Sequence, residues 1–429
     1  MLGSSRRLPR LLLLLSVVSL SRCTGSHPAH HGSAAPSHKP TAPETTAPAT
    51  VSSSSTALPS ESTHAVVPVR LFPSGIGLVS TYDLSRHGDD VVERGRLFLT
   101  FDAGRRWREI SPPGTKEIAD GFFLDGRRGW VLSGACSEKL TLQRTTDGGR
   151  SWRAAPVPAF LGCHAGAGVE LDFVDSNHGW ISSWDPAANG PGTLLRTVDA
   201  GLSWGEIVSP QQGPVTFEDA ARGWSTAISA EDLYRTVDGG RSWERRSVAI
   251  AAAGEDQLFA RPAFFGSQRG VLPATVVHGD VVDAAFAVTS DGGRAWAQAG
   301  RVAVGATAGQ TILPGAGQLA EATASPSVWW VVAYTSGGPR VWVTANSGAA
   351  FVTRNPSGIP PQTAVPNAAG GLPSTVLSPQ LGDLRASDAS TAWLELSSDG
   401  ATQVLVTRDG GRGWSRLEPE PQAATDPAR

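Results

Sequence analysis

The chain has 429 residues, 40% hydrophobic and 17% charged, an apolar content ample for a buried core that excludes global disorder. The formal net charge is −3, but the first 22 residues contribute Arg6, Arg7, Arg10 and Arg22 and no acid, and the remainder carries 32 basic against 39 acidic groups, a net charge of −7. That sign argues against a nucleic-acid partner, because phosphate-backbone binding needs clustered cations.

At the N-terminus a basic stretch, residues 6–10, meets the apolar run 11–20, then small residues and Cys23. This is the pattern of a secretory signal over residues 1–22, with an apolar run too short to span a bilayer as a mature helix. Leu20-Ser21-Arg22-Cys23 resembles a bacterial lipobox, in which the cysteine is acylated, and departs from it at Arg22. The expectation is an exported lipoprotein facing outward, with plain secretion after cleavage at Ser21 as the alternative. Cys136 and Cys163 then remain as a pair that an oxidising exterior would bridge; two separate buried thiols are the alternative. No zinc-type Cys/His spacing occurs, and no metal or cofactor is expected.

Residues 23–65 read as a disordered tether. From Thr24 to Ala65, 30 of 42 residues are Ser, Thr, Ala or Pro, which cannot bury enough apolar surface to offset their conformational entropy. His27, His30, His31 and His38 lie within it and follow from its biased composition.

Between residues 66 and 418 one eight-residue pattern recurs: Thr, any, Asp, any, Gly, any, any, Trp. Its Asp and Trp positions are Asp102 and Trp107, Asp147 and Trp152, Asp199 and Trp204, Asp238 and Trp243, Asp291 and Trp296, and Asp409 and Trp414. A seventh copy has decayed to Asn346 and Phe351. Successive Asp or Asn positions fall 45, 52, 39, 53, 55 and 63 residues apart, a period typical of propellers and solenoids. The residue types suit a tight turn: Asp accepts backbone N–H groups, Gly supplies a positive φ, and the aromatic folds over the turn. A second pattern precedes most copies, as in residues 123–130, 173–180 and 217–224, where an apolar residue and Asp are followed by Gly-Trp. Each unit therefore reads strand, turn, strand, loop, strand, box turn, strand. Seven such units predict an all-β fold, a seven-bladed β-propeller of four-stranded antiparallel blades. Residues 419–429 read as a disordered tail.

The eight-residue element resembles the Asp-box, or BNR repeat, of sialidases, sortilin-type receptors and xyloglucan hydrolases. With the Asp…Gly-Trp pattern added, the chain looks most like the seven-bladed photosystem II assembly factor family and its bacterial lipoprotein relatives. That resemblance implies a non-catalytic binding or assembly protein, and the box residues are structural on this reading.

Blade topology puts the box turns and the first turn of each blade on one face, here the bottom, and the long insertions on the top. The insertions cover residues 82–95, 155–166, 184–192, 247–257, 301–317 and 354–379. A monomer presenting its top loops to a protein or glycan partner is expected. Arg150, Arg241, Arg294 and Arg412 recur beside the boxes and form a ring on the bottom, suited to an acidic partner or simply to solvated turns. The sialidase alternative demands an Arg, a Tyr nucleophile and a Glu; Arg70, Tyr334 and Glu321 are the arrangement to test. No nucleophile elbow, metalloprotease helix or phosphate loop occurs.

Overall fold

In the computed structural model, the described residues are 62–419 apart from 73, 88–89, 116–117, 135–139, 158–167, 186–189, 228–231, 253, 280, 308–318, 367–374 and 399–400. Cys23, Cys136, Cys163, the tether up to residue 61 and the tail from residue 420 lie outside them. No helix occurs among the described residues, so none is long and apolar enough to cross a membrane.

Seven antiparallel blade sheets follow one another along the chain, each assembled from consecutive strands, with a small two-stranded sheet besides. Blade 4 is the simplest, with strands Val215–Phe217, Gly223–Thr226, Leu233–Thr236 and Glu244–Arg246 from the axis outward. Blade 5 differs in its inner strand, which is split into Asp256–Phe259 and Ala263–Phe265, both paired with Arg269–His278. Blade 1 starts earlier than expected, its inner strand covering Ser62–Leu71. Residues 82–95 correct the expectation of a top loop. They form the upper part of a hairpin, Gly77–His87 on Asp90–Thr100, paired up to His87 and Asp90. The second strand has 11 residues here and 4 in blade 4, so this hairpin rises ~23 Å higher at ~3.3 Å per residue. Another insertion, 354–379, contains a small hairpin of Thr363–Pro366 on Thr375–Ser378.

The core is not central. It is divided into seven apolar layers, one at each seam between blades. The deepest side chains include Trp180 and Trp224 of the Gly-Trp pattern and Trp330 and Trp393 at the matching strand position of blades 6 and 7, all at most 1% exposed. The glycines of the pattern have a steric cause. A Cβ on Gly179 would stand 2.5 Å from the Phe173 ring, which folds across it, and that ring belongs to a seam where the preceding blade's Trp130 stacks on it at 3.8 Å. Trp180 stacks likewise on Phe217 of the next blade at 3.5 Å.

The box turns repeat with almost no variation. In every copy the Thr hydroxyl donates to the Asp or Asn side chain at 2.7–2.9 Å and accepts the Gly N–H at 2.8–3.2 Å. One feature was not legible in the pattern: the residue between Asp and Gly is also left-handed. It is a non-glycine residue in three boxes, Ala103, Ala200 and Ser347, with φ of 54°, 64° and 59°.

The same position joins the blades. The indole N–H of Trp130 donates to Ala200 O at 3.0 Å, that of Trp180 to Gly239 O at 3.2 Å, and that of Trp393 to Ala103 O at 3.3 Å. The last of these links blade 7 to blade 1. The ring therefore closes by the contact that joins ordinary neighbours, reinforced by Arg408 on Gly104 O at 2.8 Å, with no exchanged strand among the described sheets.

Two stability measurements check this account. Trp180→Ala is expected to cost about 3–5 kcal/mol in denaturant unfolding, more than Trp243→Ala, because only the former empties a fully enclosed site. Gly148→Ala, whose Cβ would lie 2.6 Å from Gly126 O at φ +75°, is expected to cost about 2 kcal/mol or more; an unchanged midpoint would contradict the turn geometry.

Candidate functional site

The box carboxylates are fully committed. Asp147 accepts the Ser151 hydroxyl at 2.6 Å, the Ser151 N–H at 2.9 Å and the Thr145 hydroxyl at 2.8 Å, and these bonds hold it well below the usual carboxylate range. Such acids stay ionised and face their own turn, so they are poor proton donors. Among the described residues no cluster of three metal-ligating side chains occurs.

The bottom face that these turns build is basic. Arg105, Arg106, Arg127, Arg128, Arg150, Arg241, Arg294 and Arg412 are exposed; the box acids beside them accept from their own turns, while Arg106 also pairs with Asp102 at 3.2 Å and Arg128 with Asp125 at 2.6 Å. Arg150, Arg241 and Arg412 each donate once to the carbonyl of their own box Asp, at 3.2, 3.1 and 2.7 Å, leaving most of the guanidinium outward. Between the arginines stand uncovered apolar side chains: Phe101, Val198, Leu202 and Val237, 46–58% exposed. Phe101, Val198 and Val237 occupy the variable second position of their boxes. That position points out of the turn, so nothing in the fold requires them to be apolar.

The second charged region is the axis. Inner strands bring Arg70 from blade 1, Asp120 from blade 2, Glu170 and Asp172 from blade 3, Arg261 from blade 5, and Asp383 and Arg385 from blade 7. Two of these acids have a structural duty. The inner edge of each blade leaves strand N–H groups unpaired, and Asp120 accepts Leu171 N at 2.7 Å while Asp172 accepts Phe217 N at 2.8 Å. Arg70 pairs with Asp120 at 3.0 Å and lies over the Phe122 ring at 5.2 Å. Arg261, on the break in blade 5's inner strand, crosses the axis to pair with Glu170. Burial, then the charge of Arg385, lowers Arg261 to about 9. Arg385 holds Asp383 low, with burial opposing and Arg261 and Arg70 assisting. Groups from blades 1, 5 and 7 therefore act on one another across the tunnel.

The proposed sialidase arrangement is not assembled. In the blade 6 strand Trp329–Thr335, Tyr334 packs in the seam with blade 7 and its hydroxyl donates to Pro360 O at 3.0 Å; burial raises its pKa beyond the range of a nucleophile. Glu321, on Leu319–Thr323, points to the opposite face of that sheet, where it accepts the Thr275 hydroxyl of blade 5 at 3.1 Å. Arg70 is held by Asp120. Alternation along a strand separates Tyr334 from Glu321, and that parity was not visible without the register.

Sequence reading missed Glu395, on the blade 7 strand Ala392–Ser398. Burial pushes it up to about 8, with the Asp383 charge adding to the effect; burial likewise raises Glu321 to about 7. Nothing in the local sequence marks Glu395, since its setting depends on the neighbouring strand. Because both folded values lie above the ordinary 4.5, their neutral forms favour folding at low pH, and that contribution is lost as pH rises through about 7 to 8. Glu395→Gln is expected to match the parent near about pH 5 and to exceed it by about 1 kcal/mol or more near about pH 9, read by thermal unfolding across pH; equal offsets at both ends would contradict the assignment.

No family model matches the chain. The curated Photosystem II assembly lipoprotein Ycf48 of Synechococcus sp. (strain CC9902) is 28% identical to it over 156 residues, 35% of this chain and 43% of the relative, so the match spans less than half of that protein. Among solved structures, one described as YCF48 bound to D1 peptide is 19% identical, with 71% of this chain and 82% of that chain covered and a TM-score of 0.40. The GH74 xyloglucanase of Xanthomonas campestris is 15% identical, with 83% and 56% covered and a TM-score of 0.48. The BP39L lectin of Burkholderia pseudomallei is 15% identical, with 85% and 99% covered and a TM-score of 0.44. The chain is thus a seven-bladed propeller similar in part of its sequence to an assembly lipoprotein.

Proposed function

We propose that this chain is a non-catalytic binding or assembly propeller, exported and held to the membrane by an acyl group on Cys23, whose partner is a protein. The observation that carries the reading is the bottom face. Its box acids are consumed by their own turns, the arginines beside the boxes project outward, and four apolar side chains lie uncovered between them, although Asp125, Asp175, Asp219 and Asp388 in the other bottom turns stay part-exposed. On a chain of net negative charge, this local arrangement suits an acidic protein segment with apolar residues of its own. The partial similarity to an assembly lipoprotein supports both the anchoring and the partner class. Of the top insertions expected from sequence as the partner-binding surface, residues 158–166, 186–189, 308–317 and 367–374 lie outside the described residues.

The second reading, an exo-glycosidase of sialidase type, has less support. Its Tyr and Glu face opposite sides of one sheet, and its Arg is already paired.

Capture experiments on detergent-solubilised membranes of the native host test the proposal. The parent is expected to retain a defined protein at low salt and release it as salt rises, while Arg150→Glu, Arg241→Glu, Arg294→Glu and Arg412→Glu combined weaken retention by about tenfold or more. Retention unchanged in that variant would move the contact to the top loops, and absence of any specific partner would sink the binding reading. Turnover of a fluorogenic sialoside, abolished by Tyr334→Phe, would establish the second reading. Mass spectrometry of the mature N-terminus tests the anchor: an unmodified start would refute acylation of Cys23.

A further inference from the structure

Blade 7 contains an irregularity that the propeller does not need. Its inner strand, Gln380–Ala386, pairs with Ala392–Ser398 in a register that shifts between Leu381 and Leu384. Gly382 and Asp383 therefore stand together opposite Glu395. Bulges of this kind re-aim side chains and occur beside functional sites. Here the glycine is required: a Cβ on Gly382 would lie 2.9 Å from both Cδ and Cγ of Glu395. The Glu395 side chain thus lies over the inner strand at its only residue without a side chain, and extends from the second strand toward the axis. The neighbouring bulge residue, Asp383, is 61% exposed at the side chain and pairs with Arg385 at 2.6 Å.

We propose that the axial tunnel beside this bulge is a binding site for a neutral polyol, a sugar or the end of a glycan, recognised by Glu395, Asp383, Arg385 and Arg261. This inference is independent of the bottom-face partner reading.

Several properties of the site select that class. The lining is ionic and close to balanced: Arg70, Arg261 and Arg385 are set against Asp120, Glu170 and Asp383, and the fourth acid, Asp172, accepts Phe217 N and has its pKa raised by burial, so neither a free anion nor a free cation finds strong net attraction. Donors and acceptors alternate, and a hydroxyl is both at once. A guanidinium with five N–H donors beside a carboxylate that only accepts is complementary to a pair of vicinal hydroxyls, and a protonated Glu395 would add one donor and one acceptor. The groups are also reachable. Arg385 is 35% and Arg261 29% exposed at the side chain. Convergent, part-exposed polar groups fixed by several blades are the ordinary polar component of a small-ligand site.

Saturation-transfer NMR on the mature protein tests the proposal, with glucose, galactose, mannose and N-acetylglucosamine as probes and acetate as the charged control. At least one sugar is expected to bind saturably in the millimolar range. Asp383→Asn and Arg261→Gln are each expected to weaken it by about tenfold or more. Gly382→Ala, which fills the space under Glu395, is expected to abolish binding, whereas Arg241→Glu on the bottom face leaves it unchanged. Thermal unfolding of each variant reports whether it folds, and the partly exposed Asp383→Asn keeps the test valid if Gly382→Ala does not. The proposal is overturned if none of the four sugars binds, if binding survives both axial substitutions, or if acetate displaces the sugar, which would make this an anion site. Since Arg241→Glu leaves the axis intact, loss of partner capture and loss of sugar binding are separately readable.

Discussion

The hydrogen bond from a Thr hydroxyl to the Asp or Asn two residues later is the constraint on which the architecture rests. It closes a turn in which two successive residues are left-handed, and it directs the carbonyl of the first of them out of the blade. That carbonyl receives the indole of the preceding blade in three seams, including the one that closes the ring. A local turn thereby becomes an intermolecular-style contact repeated around a circle. The arrangement tolerates Ala103, Ala200 and Ser347 at a position that favours glycine, because the carbonyl direction matters more there than the modest strain of a left-handed residue.

Dividing the core among the seams has a consequence for the axis. Seven blades leave an inner circle of strand edges whose N–H groups face no further strand. Asp120 and Asp172 each satisfy one such group on the following blade, which explains buried carboxylates without invoking reactivity. Having placed anions there, the fold balances them with arginines, and the tunnel fills with paired charge in place of apolar packing. Glu395 differs from these acids. It sits on a second strand, has no strand edge to cap, and depends on a glycine and a bulge for its position.

The two faces follow different rules. On the bottom the seven box turns share one hydrogen-bonding pattern, so their variation is confined to positions that point outward, and arginines and isolated apolar side chains collect there. On the top, connection lengths are free to vary, and the same strand order yields a tall hairpin in blade 1 and a very short one in blade 4. Charge on the bottom therefore follows the box turns, with arginine at one repeated position in blades 1, 2, 4, 5 and 7 and Leu202 and Ala349 there in blades 3 and 6.

The number of blades, the order of strands and the structural role of the box residues were determined by sequence alone, because each depends on interactions spanning fewer than ten residues and repeated seven times. Blade 4 shows how far this extends: its strands Val215–Phe217, Gly223–Thr226, Leu233–Thr236 and Glu244–Arg246 follow the expected order of strand, turn, strand, loop, strand, box turn, strand. Tertiary structure alone decided which face of a sheet a side chain occupies relative to its neighbours, and so separated Tyr334 from Glu321 and joined Arg261 to Glu170 across 91 residues. It also decided which tryptophans carry the core, since the box pattern emphasises an indole over its own turn, whereas full enclosure comes from the next blade. The physical reason is common to these cases: strand register and ring closure bring together residues whose separation along the chain has no fixed period, and no local pattern encodes that proximity.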